Sequence, residues 1–244
     1  MTFWRLLPVA GALLLAAGCL GAVTTEAGWL IVDDNGDQTL VSRGRLRMDP
    51  RQAPGQSMVV DLTRARMWVA DAGRRLYWEG TVEEYCQAVR ALLPPPPAPP
   101  AGSPGAAGAP PPRVTLERTE ETETIAKLPT RKYRVLVDGK LYEELWLTGE
   151  AALVRELDLA RAPDTFGRML ACMVGLDGQR PEASPEYRRL FAEGWPLKAV
   201  YHGEGGSPGR ALVTRVEPRE VAERDFAPPP GFTKAPLGEL FGKR

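Results

Sequence analysis

The sequence predicts an α+β fold: a curved antiparallel β-sheet, shaped as a half-open barrel, with helices packed on one face. Three observations lead there. Residues 132–147 read as two β-prone runs flanking Asp138-Gly139, a pair suited to a two-residue turn that needs positive φ at both centres. Short segments with alternating polarity recur through residues 39–79, with turn signals between them, as in a meander of strands. Several other segments carry apolar stripes at helical spacing. A single domain of about eight to eleven strands would satisfy all three.

The hairpin is the most specific of these signals. A two-residue loop pairs Val137 with Lys140, Leu136 with Leu141, Val135 with Tyr142, Arg134 with Glu143 and Tyr133 with Glu144. That register sets opposite charges across from one another at Arg134 and Glu143, and stacks Val135 on Tyr142. Each such pair stabilises a sheet by roughly 0.2–1 kcal/mol. A slip of one residue would carry every side chain to the other face.

The chain opens with one early positive charge, Arg5, an apolar run from Leu6 to Leu15, and small residues. Residues 1–18 therefore read as a secretory signal peptide, the run being too short for a membrane span of about 20 residues. Leu15-Ala-Ala-Gly-Cys19 resembles the bacterial lipobox, which implies lipidation of Cys19 and a mature chain that starts there. Residues 19–28 would then be a tether. The alternative is cleavage before Val23, which frees a secreted soluble protein.

Residues 29–93 are expected to form the first part of the sheet and one helix. Trp29 to Val32 reads as the first strand, and residues 33–37 as its turn. That acidic turn lacks the glycine and glutamate positions of a calcium loop, so an Asn-Gly turn with solvated acids is the better reading. Further strands are read at 39–42, 44–48, 57–62, 66–70 and 75–79. Trp68, Tyr77 and Trp78 form an aromatic stripe that is a candidate ligand contact, although core packing explains it more simply. Thr81-Val-Glu-Glu84 is a capping box, and Val82, Tyr85, Cys86, Val89, Leu92 and Leu93 form one stripe behind it.

Residues 94–112, nearly all Pro, Ala and Gly, read as a flexible insertion. Residues 113–244 resume the same domain. The polar run 119–124 has the character of an edge strand with a solvated face. Helices are expected at 150–159, at 164–174, and from Ser184-Pro185 to Ala192, the last ended by Gly194. Phe166, Met169, Leu170, Met173 and Val174 form the stripe of the second. Met169 and Met173 are candidate ligand contacts, with core filling as the simpler use. Strands at 195–201 and 210–216 flank a glycine-rich loop, and Phe226 and Phe232 of the tail are expected to pack against the sheet edge.

Thirty-one basic and thirty-one acidic residues balance, and no basic block is interleaved with aromatics, which argues against a nucleic-acid partner. His202 is the sole histidine, which rules out a histidine pair for zinc; an exposed strand-end residue is its simplest reading. There is no Gly-x-Ser-x-Gly elbow, no phosphate-binding glycine loop and no Cys-x-x-Cys. No catalytic residue, metal site or cofactor is therefore assigned, and an enzyme is the poorer class. Beyond Cys19 the cysteines are Cys86 and Cys172. Burial as a small hydrophobe is the first reading of Cys86, with a Cys86–Cys172 bridge as the alternative.

The C-terminal half carries a resemblance. Lys132-Tyr-Arg-Val135, Asp138-Gly-Lys-Leu141, Glu143-Glu-Leu-Trp146, Gly194-Trp-Pro-Leu-Lys198, and Phe226 with Pro230-Gly-Phe232 resemble a bacterial family of exported proteins of unknown function. That family is similar to lipoprotein carriers of the LolA/LolB type. The resemblance implies a half-open sheet whose concave side is plugged by helices, and it implies no catalytic residues. The leading expectation is a non-enzymatic lipoprotein of the bacterial cell envelope, facing the periplasm or the outside. Its lipid anchor meets the membrane and its interior takes a hydrophobic ligand or lipid. The alternative is a structural or interaction protein of the envelope with a packed core.

Overall fold

The structure, a computed structural model, describes residues 25–92, 112–165, 168, 181–202 and 209–241. The signal peptide, Cys19, the insertion up to residue 111, Phe166, Met169, Leu170, Cys172, Met173, Val174 and the glycine-rich loop at 203–208 lie outside the described residues.

Among the described residues, twelve strands form a single sheet. In chain order they are β1 (Thr25–Asp33), β2 (Gln38–Ser42), β3 (Arg45–Asp49), β4 (Gln56–Asp61), β5 (Arg66–Asp71) and β6 (Leu76–Thr81), then β7 (Val114–Ile125), β8 (Leu128–Val137), β9 (Lys140–Thr148), β10 (Trp195–Tyr201), β11 (Arg210–Ala222) and β12 (Thr233–Lys234). Their spatial order is β12-β6-β5-β4-β3-β2-β1-β11-β10-β9-β8-β7. All neighbours are antiparallel except β12 and β6. The sheet does not close into a barrel: β7 and β12 are its edges. The helices bounded within the described residues are few: α1 (Val82–Leu92), α2 (Ala151–Leu157), α3 (Pro185–Glu193) and the short α4 (Leu237–Leu240).

The meander and the C-terminal half become one sheet through β1 and β11, paired from Thr25↔Ala222 to Asp33↔Val213. Residues 25–28, read from the sequence as tether, are thus strand. Gly28 permits this, since a Cβ there would stand 2.6 Å from the Val41 carbonyl oxygen. The polar run 119–124 lies in β7, at the sheet edge as its composition predicts. Twelve strands exceed the expected count because two tail residues, Thr233 and Lys234, add β12 in parallel along β6.

Local signals set the helices. Thr81 N donates to Glu84 Oε2 at 2.7 Å and Glu84 N to Thr81 Oγ1 at 3.1 Å, so the capping box forms at α1. Val82, Tyr85 and Val89 of α1 and Leu153 and Leu157 of α2 share a core with Ile31, Val41, Leu46, Val60 and Met67. Burying each such aliphatic side chain contributes roughly 1.5–3 kcal/mol. Ser184 Oγ caps α3 by accepting from Tyr187 N at 3.0 Å. Leu190 of α3 packs on Tyr133, Val135, Leu145, Leu147 and Ala199. Cys86 is half-buried and disulfide-bonded, not the buried free thiol that its place on the apolar stripe suggests. Its sulfur stands 3.6 Å from the Arg168 carbonyl oxygen.

A third cluster holds Val59, Trp68, Ala70, Val221 and Phe226. Phe226 therefore sits on a face of the sheet, not at its edge as the tail composition suggests. Trp68 Nε1 donates to the Phe226 carbonyl at 2.8 Å, and the Arg45 guanidinium lies 4.5 Å over the Phe226 ring.

Asp138 and Gly139 both have positive φ, 51° and 80°, as the hairpin demands. The first two pairs, Val137↔Lys140 and Leu136↔Leu141, are those expected. Beyond them the register shifts: Val135 pairs with Glu143, Arg134 with Glu144 and Tyr133 with Leu145. Tyr142 is the extra residue of a β-bulge, so the expected Val135–Tyr142 and Arg134–Glu143 pairs do not form. The physical reason is the core. A one-to-one register would turn Leu145 and Leu147 away from the face that holds Tyr133 and Val135. One extra residue brings all four into one cluster.

Candidate functional site

The bulge turns Glu143 inward. Its neighbour on β8 is Val135 and on β10 Tyr201. Glu143 is 0% exposed, a full burial that carboxylates seldom show without a partner. The bulge is fastened from β10's end, where His202 N donates to the Tyr142 carbonyl at 2.7 Å. Tyr142 OH in turn donates to Glu182 Oε1 at 2.8 Å. Glu182 belongs to the short 3-10 turn at Pro181–Ala183 that precedes α3.

Tyr187, in the first turn of α3, donates its hydroxyl to Glu143 Oε2 at 2.8 Å. The Tyr201 hydroxyl also acts on the same carboxylate, yet Oε1 holds no hydrogen bond of normal geometry. Burial is the largest influence on this carboxyl and raises its pKa. The Tyr187 bond lowers it, Glu182 raises it and Tyr201 lowers it, leaving it pushed up to about 7. Burial, and then the Glu143 charge, push Tyr187 far above the ordinary phenol range and Tyr201 up to about 12.

Glu143 and Tyr187 border a cavity of about 520 Å³ between the strands and α3. Its walls are mostly apolar: Ile31, Leu46 and Met58 from the meander, Leu145 from β9, Phe191 from α3 and Leu212 from β11. A concave apolar space with a few convergent polar groups is the common form of a small-molecule site, and about 300–1,000 Å³ is the usual range. A second hollow of about 480 Å³, near Arg118, Thr122, Arg131 and Glu193, is mainly polar. None of its lining residues has a buried polar side-chain atom without a partner.

On the opposite face the next residue, Glu144, accepts from Lys132 Nζ at 2.7 Å and from His202 Nε2 at 3.0 Å. Burial raises its pKa, but the Lys132 and His202 bonds outweigh this and hold Glu144 below the usual carboxylate range. Lys132 and Lys198 both lie over the Trp146 ring, at 5.1 and 4.0 Å. These charges satisfy each other in a closed ion-pair network. Among the described residues no group of three or more His, Cys, Asp and Glu could hold a metal ion.

Of the candidate contacts named from sequence, Trp68 is buried in the cluster with Phe226, and Tyr77 packs against that cluster. Trp78 lies 5.8 Å from the Tyr85 ring. None of the three lines the cavity. Met169 and Met173 fall outside the described residues. Sequence reasoning missed Glu143, Tyr187 and Tyr201, because their meeting depends on the bulge.

No protein-family model matches the chain, and no characterised protein matches it by sequence. Solved structures with some likeness include PNGF-II, at 10% identity and a TM-score of 0.36, covering 88% of this chain and 31% of that one. Another is the MucA/MucB complex of Pseudomonas aeruginosa, at 15% identity and a TM-score of 0.38, covering 83% and 55%. The chain spans less than two thirds of either. These are distant, β-rich neighbours, and at such scores the likeness says nothing about ligand or activity.

Proposed function

We propose that this chain is a non-enzymatic cell-envelope lipoprotein that binds a hydrophobic ligand, a lipid or acyl chain, between its sheet and helices. The observation that carries this is the apolar cavity of about 520 Å³ beside α3. A cavity of that size weighs against a fully packed interior, since dry voids in protein cores are few and small. In this reading the open sheet is a half-barrel, the helices cover one of its faces, and the space left between them is the binding site. The resemblance of the C-terminal motifs to an exported family that is itself similar to LolA/LolB-type carriers supports the same reading, in which Cys19 supplies the membrane anchor. The Lys132, Glu144 and His202 side chains pair with one another on the face opposite the cavity, so they add no charge to its apolar walls.

Native mass spectrometry of the protein purified from its own membranes tests the reading. A lipid mass beyond that of the anchor is expected, and Ala199→Phe, which fills the cavity wall, should abolish it. A bare protein mass in gentle detergent, equal for both forms, would overturn the proposal.

A further inference from the structure

We propose that the cavity selects a single-chain amphiphile whose head donates a hydrogen bond to the unpartnered Oε1 of Glu143, so that alcohol, amide or amine heads are taken in preference to a carboxylate. This rests on the apolar-ligand reading of the same cavity and names the chemistry of its polar end. Four observations support it.

Glu143 is fully buried, borders the cavity and has one oxygen without a partner. A buried acceptor left without a donor is costly, so a ligand that supplies one gains what water would otherwise have supplied. Among the described residues facing Glu143, Tyr187 of α3 is spent on Oε2, the Tyr201 hydroxyl of β10 reaches the carboxylate without completing a normal hydrogen bond to Oε1, and Glu182 adds negative charge. The remaining charges on the wall repel an anion as well. Asp33 and Asp37 line the cavity, and its one cation among the described residues, Lys198, is bound to Glu123 at 2.6 Å and stacked on Trp146. Among the described residues a carboxylate head would meet acids and no free cation. An ammonium, hydroxyl or amide head would meet an acceptor.

Calorimetric titration with dodecanol, dodecylamine and dodecanoate, each below its aggregation limit and at about pH 8, where Glu143 is ionised, reads the preference. The alcohol and the amine should bind at least about tenfold more tightly than the carboxylate. In Glu143→Gln, whose amide can donate to a carboxylate, the gap between dodecanol and dodecanoate should shrink to within roughly threefold. Dodecanoate binding the natural protein as tightly as dodecanol would overturn the head-group proposal while leaving the apolar-ligand reading intact. So would an unchanged gap in a folded Glu143→Gln protein. Failure of all three chains to bind would instead overturn the apolar-ligand reading itself.

Discussion

The Tyr187 hydroxyl donates a 2.8 Å hydrogen bond to Oε2 of Glu143, from the first turn of one helix to the middle of one strand. The contact exists because two local features coincide. Ser184 caps α3 and so fixes the position of Tyr187, while the extra residue Tyr142 turns Glu143 to the core face. The pair carries a buried acid at the rim of a mostly apolar space.

Stability should fall as pH rises through the range that separates the two forms of Glu143. Its folded pKa of about 7 stands above the ordinary 4.5, so the folded chain binds the extra proton in between. The contribution is fully present below 4.5, declines as pH climbs and is gone above about 7. The difference corresponds to roughly 3 kcal/mol. Urea denaturation of the natural protein and Glu143→Gln should give similar stabilities near pH 4.5. At pH 8.5 the variant should be the more stable by about that amount. Equal stability of the two forms at both pH values would contradict the burial of an ionisable Glu143.

Besides the β12–β6 pairing, the tail is held to the sheet by a buried bond from Trp68 Nε1 to the Phe226 carbonyl. Trp68→Phe keeps most of the apolar body and removes the donor. A loss of about 1–3 kcal/mol is expected, the usual consequence of leaving a buried carbonyl unpaired. Hydrogen exchange should quicken in residues 223–234 ahead of the rest of the chain. Uniform exchange with unchanged stability would show that the tail does not depend on this bond.

Cys19 gives a prediction about address. If the lipobox resemblance holds, cells fed a clickable fatty acid will label the natural protein and not Cys19→Ser. The variant, with no acyl chain to bury in the bilayer, should leave the membrane fraction. An unlabelled natural protein whose chain begins at Val23 would mean secretion without an anchor.

Features set by neighbouring residues were legible in the sequence: the capping box at Thr81, the Asp138-Gly139 turn, the Ser184-Pro185 helix start and the polar strand at the edge. Each is decided within about four residues, where capping and turn chemistry act. The Glu143 site was not, although a signal for it was present. In a regular two-residue hairpin, odd-numbered residues of one strand pair with even-numbered residues of the other. The apolar residues Tyr133, Val135, Leu145 and Leu147 are all odd-numbered, so they can share a face only if one residue is looped out. Arg134 opposite Glu143 made the regular register attractive, but burying four large side chains outweighs one exposed ion pair. Arg134 meets Glu144 instead, at 3.8 Å. Trp68, Tyr77 and Trp78 drew notice as aromatics on strands, yet composition cannot tell which face of a sheet a strand residue serves.

Photolabelling tests most directly whether the cavity is the binding site. A dodecanol analogue with a diazirine in mid-chain would be bound, irradiated and the adducts mapped by peptide mass spectrometry. Adducts should fall on cavity residues such as Phe191, Leu197 and Leu212, be competed by unlabelled dodecanol, and vanish in Ala199→Phe. Adducts confined to exposed apolar residues outside the cavity, such as Leu141 and Phe241, and unaffected by that substitution, would contradict it.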